Sequence, residues 1–395
     1  MKITGVKIRR IYGTMPTKGT FWEERLVRPI DIYPEYRDQG PWEGGVQVDD
    51  SHLQLVQDYV EIHTDDGVVG TAGPIWPDCS HLILTQLTPI IMGKDPLAIE
   101  LLWDQMHRLQ VHGRQGIPMV AISAIDCALW DLKGKVFNQP IWRILGGPTR
   151  DSIPAYASML GYAVQDLGKV RERALDYKAQ GYKAQKWFIR HGPMAGHDGL
   201  MKNVALVRTL RETLGDDYDI MIDCWQSLNL DYAVDFCSRI EEYRPRWVEE
   251  CFMPDRIDSH VKLKAKTRIP LSGAEHEYTR WGFKRFIDVD ALDVLQPDIY
   301  WAGGLSETLK IAAYASVHDL VVIPHGHSTP AGLHFSLAQS PLLTPLQEYL
   351  VKWNAIKQHF LAHPIRPQQG HFTPPVEPGL GMDLDPAKIE AQAEI

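Results

Sequence analysis

Apolar and polar residues alternate at the start of the chain, and this pattern predicts antiparallel β-structure there. Residues 1–11 alternate, and the apolar run 56–64 leads into an Asp-Asp-Gly sequence at 65–67 that is typical of a tight hairpin. From residue 80 onward the apolar spacing becomes helical. We therefore predict a first domain of sheet and helix over residues 1–125.

A long connection between the first two predicted strands is expected to cover a substrate. It runs from Pro16 to Asp50, is rich in Pro, Tyr, Trp and charged residues, and exceeds the ordinary length of a connection. Long loops of this kind often carry binding residues. The side chains predicted to bind substrate are Arg25, Arg28 and Tyr36, with Tyr33 and Arg37 as further donors and Trp22 and Trp42 as walls.

Short apolar segments alternate with amphipathic ones after residue 147, which predicts repeated βα units. Seven or eight units of roughly 25–30 residues fit the chain between residues 150 and 360, and this favours a (β/α) barrel over an open doubly wound sheet. We place the barrel at residues 126–365. The turn-rich segment 366–395 is expected to return to the first domain.

Composition and charge exclude several classes of protein. The 395 residues include 41 Lys and Arg against 50 Asp and Glu, a net charge of −9, so the chain lacks the basic surface that nucleic acid requires. The sequence contains no apolar run of membrane-spanning length. The five cysteines form no CxxC pair, which indicates reduced thiols. We expect a cytoplasmic protein that binds neither nucleic acid nor membrane.

A titratable residue follows each of six successive predicted barrel strands. These residues lie 23 to 27 positions apart, close to one βα unit, and they are Asp223, Glu249, Glu275, Asp298, His325 and Glu348. In a barrel the carboxyl ends of the strands form the face on which active sites are built. We therefore expect all six side chains to share one rim.

The first three of these residues predict a metal site. Asp223, Glu249 and Glu275 would converge as oxygen ligands, the set suited to Mg²⁺. Asp298 and His325 follow on neighbouring strands, where a carboxylate can orient an imidazole as a general base. Lys186 on the second barrel strand could stabilise an anionic intermediate or act on the opposite face of the substrate.

These residues, in this order behind a 125-residue first domain, resemble the enolase superfamily, mandelate racemase subgroup. The strings that look like its L-rhamnonate dehydratase group are Asp223-Cys-Trp, Glu249-Glu-Cys251, Gly273-Ala-Glu-His276, Gln296-Pro-Asp298, Trp301-Ala-Gly-Gly304 and Pro324-His-Gly326. The resemblance implies an N-terminal α+β capping domain on a modified (β/α)7β TIM barrel, with Mg²⁺ as cofactor. It also implies a homo-oligomer, often an octamer.

The same resemblance implies roles for individual residues. Glu348 would hydrogen-bond the enolate, and His276 and Trp301 would contact substrate. The subgroup carries Lys-x-Lys on the second strand, whereas this chain has Lys186-Trp187-Phe188. Where the dehydratase group has a histidine in the lid, this chain has Arg25-Leu-Val-Arg28, so L-lyxonate and L-mannonate stand beside L-rhamnonate as substrates.

The predicted reaction is dehydration of a 2,3-dihydroxy acid. His325 would abstract the C2 proton and assist loss of the C3 hydroxyl, giving a 2-keto-3-deoxy acid. Within the family, a racemase or epimerase and a cycloisomerase are the alternatives. Outside it, the alternatives are an amidohydrolase-like barrel, suggested by His325-Gly-His327, and a non-catalytic sugar-acid binding protein.

Overall fold

The computed structural model describes residues 1–41 and 44–395, so the predicted lid wall Trp42 lies outside the described residues. The strands are β1 (Ile3–Pro16), β2 (Val46–Asp49), β3 (His52–Thr64), β4 (Val69–Ile75), β5 (Ile153–Ser158), β6 (Ala184–Phe188), β7 (Asp219–Asp223), β8 (Trp247–Glu249), β9 (Leu271–Gly273), β10 (Val294–Leu295), β11 (Val321–Val322), β12 (Gln347–Leu350), β13 (His371–Phe372) and β14 (Ala391–Glu394).

Helices separate most of these strands. The α-helices are α1 (Pro34–Arg37), α2 (Pro77–Leu82), α3 (Thr88–Ile91), α4 (Ile99–Leu109), α5 (Ile117–Phe137), α6 (Ile141–Ile144), α7 (Leu167–Ala179), α8 (Gly196–Leu214), α9 (Leu230–Ile240), α10 (Ile257–Lys264), α11 (Thr279–Asp288), α12 (Gly304–Ser316), α13 (Thr329–Ala338) and α14 (Val351–Lys357). A π turn at Ile83–Leu87 joins α2 to α3. Short 3-10 turns lie at Pro29–Ile32, Pro193–Ala195, Glu241–Tyr243, Gly326–Ser328 and Pro386–Lys388.

The first sheet is antiparallel, as the alternating pattern predicts. Its order is β14-β1-β3-β2, and β4 pairs with the other part of the β3 edge. Ile8 and Ile11 of β1 are buried while Lys7 is exposed, which is the alternation that one buried sheet face produces. The C-terminal strand β14 pairs with β1, so the end of the chain completes this sheet.

The second sheet is the barrel. Strands β5 to β12 run parallel in chain order, with β12 beside β5, and the helices α7 to α13 connect them. Val322 in β11 donates its N–H to the carbonyl of Leu343, ahead of β12, at 2.8 Å across the remaining gap. Eight strands and seven connecting helices confirm the predicted (β/α)7β barrel with an α+β domain before it.

The helix α5 joins the two sheets. It packs so closely on β4 that a Cβ on Gly70 would lie 2.1 Å from the carbonyl oxygen of Ala128. On its other side, Trp130 Nε1 donates to Ser306 Oγ of α12 at 2.9 Å. The predicted division between residues 125 and 126 falls inside this helix, and the domain bounds stay a prediction. In the described part of the chain, no helix is both long enough and apolar enough to span a bilayer.

Buried Asp131 of α5 is expected to be important for stability. Its carboxylate accepts the N–H of Thr71 at 3.0 Å and of Leu380 at 2.8 Å, and pairs with Lys135 at 2.8 Å. Asp131→Ala leaves two buried donors without an acceptor, so we expect a loss of about 3 kcal/mol in the free energy of unfolding. Urea denaturation measures it. The exposed Asp198→Ala is the control, and an equal effect of both would contradict this role.

Candidate active site

The carboxyl ends of the barrel strands bring seven predicted residues to one rim. They are Lys186 in β6, Asp223 in β7, Glu249 in β8, Glu275 after β9, Asp298 after β10, His325 after β11 and Glu348 in β12. All seven side chains are buried, and His325 is the most exposed at 9%.

Three carboxylates on successive strands form a cluster, made of Asp223, Glu249 and Glu275. One oxygen from each lies within 4.8 Å of the others. Lys186 Nζ lies 3.0 Å from Asp223 Oδ2 and contacts Glu249. Burial raises the pKa of Glu249 to about 8 and that of Glu275 to about 7, because buried carboxylates lose their hydration. One lysine does not balance three acids, so full ionisation of the cluster requires further positive charge.

This cluster fits a divalent metal ion, which Asp223, Glu249 and Glu275 would hold. Three carboxylates supply the hard oxygen ligands that Mg²⁺ prefers and leave room for water and substrate oxygens. Among the described residues, buried Glu275 Oε2 has no hydrogen bond, as a ligand oxygen would. Glu249 Oε2 accepts from Trp247 Nε1 at 2.9 Å and from Gln296 Nε2 at 2.7 Å, which fixes the orientation of this carboxylate.

Asp298 and His325 form the predicted dyad. His325 Nδ1 lies 2.8 Å from Asp298 Oδ2, and the N–H of Tyr300 donates to Asp298 Oδ1 at 2.8 Å. His325 Nε2 then faces the acid cluster, 3.3 Å from Glu275 Oε2. Burial opposes protonation of His325, but Glu275 and Asp298 raise its pKa to about 10. His325 Nε2 points into the site, and a cation held by the neighbouring acids would offset the negative charge that raises this pKa and leave Nε2 free to take a proton from substrate.

His327 shares the same aspartate. Its Nδ1 lies 3.5 Å from Asp298 Oδ2, and its ring is parallel to that of His325 at 6.2 Å. Burial lowers the pKa of His327 to about 4, so the ring is neutral. The two histidines therefore meet at Asp298, which argues against the metal-binding His-x-His pair of an amidohydrolase-like barrel.

His276 and Trp301 form one wall of the site. The Trp301 ring lies 5.4 Å from that of His276 and 5.2 Å from that of His325. His276 Nδ1 lies 2.9 Å from Glu250 Oε2 and 3.4 Å from Glu275 Oε1. No role was predicted for Glu250 or Gln296, although both belong to the quoted strings. Their partners come from other strands, so only the fold reveals their contacts.

The lid arginines bind mainly within the lid. Arg25 pairs with buried Asp31 at 2.7 Å, and its guanidinium also donates to the carbonyls of Leu26, Tyr36 and Arg37 and to that of Gln39. The structure places the Arg25 guanidinium in this internal network, because a buried guanidinium requires acceptors close by, and Tyr36 joins the network through its backbone carbonyl. Their predicted contact with substrate stays a prediction.

Arg28 contacts the lid and also lines a cavity. It donates to the Tyr36 carbonyl at 3.2 Å and lines a cavity of about 310 Å³ together with Arg190 and His191 of the loop after β6. This cavity lies between lid and barrel. Arg28 and Arg37 are therefore predicted lid residues that the structure places against this cavity.

Asp31 is expected to hold the lid closed. It accepts from Arg25 and from the backbone N–H of Arg28 at 2.9 Å. Breaking a buried ion pair by removing one partner costs about 3–5 kcal/mol, so Asp31→Asn should loosen the lid while the barrel stays folded. We expect faster tryptic cleavage within residues 16–50 and a higher KM. Exposed Asp38→Asn is the control. Cleavage of Asp31→Asn at the rate of the unaltered protein would contradict this role.

Fold and site together define a class. A (β/α)7β barrel with an α+β domain, three converging carboxylates and a His–Asp dyad on one rim is a metal-assisted barrel enzyme. Residues 51–146 match the mandelate racemase / muconate lactonizing enzyme N-terminal domain, and residues 169–388 match the enolase C-terminal domain-like family. The chain belongs to the enolase superfamily, mandelate racemase subgroup.

Two curated relatives resemble the chain over nearly its whole length. A Caldivirga maquilingensis protein, provisionally named L-rhamnonate dehydratase, is 37% identical and covers 91% of this chain and 87% of its own. The L-rhamnonate dehydratase of Saccharopolyspora erythraea is 32% identical, and the match covers 96% of this chain and 97% of the relative.

Two solved structures are similar in fold. Rhamnonate dehydratase from Gibberella zeae complexed with Mg is 32% identical, with a TM-score of 0.82 over 98% of this chain and 95% of that one. The 3,6-anhydro-D-galactonate cycloisomerase of Zobellia galactanivorans is 31% identical, with a TM-score of 0.79 over 98% of both chains. The chain is thus similar over nearly its whole length to proteins named as dehydratases of a sugar acid.

Proposed function

We propose that this chain catalyses the Mg²⁺-dependent dehydration of L-rhamnonate or a related aldonate such as L-lyxonate or L-mannonate. The observation that carries the proposal is the 2.8 Å contact between His325 and Asp298 on the rim that also holds the acid cluster. Relatives named L-rhamnonate dehydratase at 37% and 32% identity support the substrate class. The homo-oligomer and the cytoplasmic location stay predictions.

His325 would perform both proton transfers. Mg²⁺ held by the acid cluster would supply Lewis-acid stabilisation of the charge that develops on the substrate. His325 Nε2 takes the C2 proton, and Asp298 holds the ring in the tautomer that leaves Nε2 free. The protonated ring then gives that proton to the C3 hydroxyl, which leaves as water. The resulting enol tautomerises to the 2-keto-3-deoxy acid.

Lys186 would stabilise the anionic intermediate, and Glu348 would orient Lys186. Burial opposes a charged Lys186, but three carboxylates raise its pKa well above the usual range, so it stays cationic. Glu348 Oε2 accepts the N–H of Gly326 at 2.8 Å, and Oε1 lies 2.9 Å from Lys186 Nζ. In these contacts Glu348 is an acceptor that orients Lys186. The family role of Glu348 as a donor to the enolate would require a proton on it.

Phe188 favours dehydration over racemisation. It occupies the position of the second lysine of the subgroup motif, and its ring lies 5.4 Å from Lys186 Nζ. Phe188 packs with Leu26 and Leu350 in an apolar cluster. A racemase needs a proton donor on each face of the intermediate, and an apolar ring supplies none. Dehydration on a single face needs only His325.

A substrate panel tests this proposal. Purified protein with Mg²⁺ is incubated with four- to six-carbon aldonic and aldaric acids and with 3,6-anhydro-D-galactonate, and 2-keto product is detected with semicarbazide. We expect a keto acid lighter than its substrate by one water, formed from L-rhamnonate or a near relative. A product of unchanged mass from the anhydro acid would favour the cycloisomerase. Deuterium exchange at C2 without loss of water would favour the racemase. Binding of an acid without turnover would favour the non-catalytic sugar-acid binding protein.

A further inference from the structure

A cationic groove lies beside the candidate active site. It is a cavity of about 900 Å³ between α11 and the end of α4 with the loop after it. We define the cationic groove by its four arginines, Arg108, Arg114, Arg280 and Arg285, which face a single lining acid, Asp104. The chain as a whole carries a net charge of −9. The groove is therefore a local region of positive charge on an acidic protein.

Two of the four arginines are available to a passing anion. Arg280 pairs with buried Glu307 at 2.9 Å, and Arg108 pairs with Asp104 at 2.8 Å. Arg114 and Arg285 are exposed, and neither has an acid within ion-pair distance in the described part of the chain. Unpaired guanidinium groups keep their full field toward solvent and bind carboxylates well.

The cationic groove continues toward the acid cluster. A second cavity of about 300 Å³ shares Gln115 and Arg285 with the groove, and His276 lines its other side. His276 is 25% exposed, against 9% for His325 and 4% for Glu275, which it contacts. Solvent thus reaches the site at His276, and Arg285 stands between that point and the open groove.

The second cavity also contains two acids, Asp255 and Glu277. Glu277 is buried, and its Oε1 accepts the N–H of Tyr278 at 2.8 Å. Asp255 also lines this cavity, and Glu277 is close enough to Arg285 for the guanidinium to offset part of the rise in pKa that burial causes in this carboxyl. The approach is thus positive at its outer end and close to neutral near His276, an arrangement that attracts an anion without trapping it.

We propose that the cationic groove captures the carboxylate of the sugar acid and guides it past Arg285 to His276. This inference rests on the proposed function, because it requires an anionic substrate. A cleft lined by one sign of charge raises the local concentration of oppositely charged ligand, and salt screens the effect. The groove would then determine the rate of association and not the chemistry at His325.

Stopped-flow binding tests this proposal. L-Rhamnonate is mixed with Mg²⁺-loaded His325→Asn protein, which binds without turnover, and tryptophan fluorescence reports association. The groove variant carries Arg114→Gln and Arg285→Gln in addition to His325→Asn, and the His325→Asn protein is its parent. We expect its association rate constant to fall about 3- to 10-fold at about 0.01 M ionic strength and to match the parent at about 1 M, with dissociation unchanged.

The matched control removes two positive charges elsewhere. Lys169→Gln with Arg171→Gln, both exposed on α7, changes the net charge equally but lies outside the groove. Equal slowing by both pairs would overturn the proposal, because net charge alone would then explain it. An unchanged association rate in the groove variant would also overturn it.

A second measurement separates this inference from the proposed function. Trp281 lines the groove and is 48% exposed, so its fluorescence, taken as the difference from Trp281→Phe, reports local quencher concentration. The groove variant should lower quenching by iodide about 3-fold at low salt and leave quenching by neutral acrylamide unchanged. Unchanged iodide quenching would overturn the groove. Reduced iodide quenching without L-rhamnonate binding would instead overturn the proposed substrate.

Discussion

Replacing His325 with Asn is expected to lower kcat for dehydration by about 10⁴-fold, the upper end for a general acid–base group, because one ring serves two proton transfers. Asn cannot accept the C2 proton or return it to the C3 hydroxyl. The Asp298 partner stays buried, so the site keeps its shape. Steady-state kinetics with the best acid of the panel measures the effect, and circular dichroism with Mg²⁺ titration verifies that the variant folds and binds metal.

His327→Asn is the matched control for this prediction. His327 is also buried and also faces Asp298, yet its ring is held neutral and it does not touch the acid cluster in the described structure. We expect at most a modest loss of kcat from this change. Equal losses from His325→Asn and His327→Asn would contradict the assignment of His325 as the base and indicate a shared structural role.

Asp223→Asn is expected to weaken Mg²⁺ binding by at least about 100-fold and to abolish dehydration, since changing a residue that only orients a metal ligand already costs about 10- to 100-fold. The amide removes one negative charge and one hard oxygen ligand from the cluster. Isothermal titration calorimetry measures the affinity. Treatment with EDTA should likewise remove activity from the unaltered protein, and added Mg²⁺ should restore it.

His276→Asn distinguishes two sets of ligands. Atoms of Glu250, Glu275 and His276 also approach one another within 4.8 Å, so this second group could hold an ion. The acid cluster is the better match because Mg²⁺ prefers oxygen to imidazole nitrogen. His276→Asn should therefore leave Mg²⁺ affinity nearly unchanged. Loss of Mg²⁺ binding in His276→Asn, with retention in Asp223→Asn, would move the metal to the second group.

The lid contacts and the domain bounds depend on folding that the sequence pattern does not predict. Arg25 has the side chain of a carboxylate-binding residue, and its position in a long loop favoured contact with substrate. Its partner Asp31 lies only six residues away, but an ion pair inside a loop depends on how the loop folds back. The helix α5 likewise reads as one buried apolar segment, and nothing local shows that it packs on β4 and α12 together.

The wall of the site depended on contacts between strands. Glu250 and His276 are 26 residues apart and meet because β8 and β9 are neighbours in the barrel. The cationic groove combines Arg114 with Arg285, which the loop after α4 and the helix α11 bring to one opening. The number of residues between such a pair does not predict the distance between their side chains, because that distance depends on how whole helices and strands pack.

The spacing of residues along the chain is enough to predict the barrel, its rim and the order of the titratable residues on that rim. A βα unit repeats at nearly constant length, so a regular interval along the chain becomes neighbouring positions in space, as for Asp223 and Glu249. Tertiary structure alone decided which buried groups pair, how the lid is held and where the groove opens. Such contacts join segments that are distant along the chain and are brought together by side-chain packing. The local periodicity of the sequence does not predict this packing.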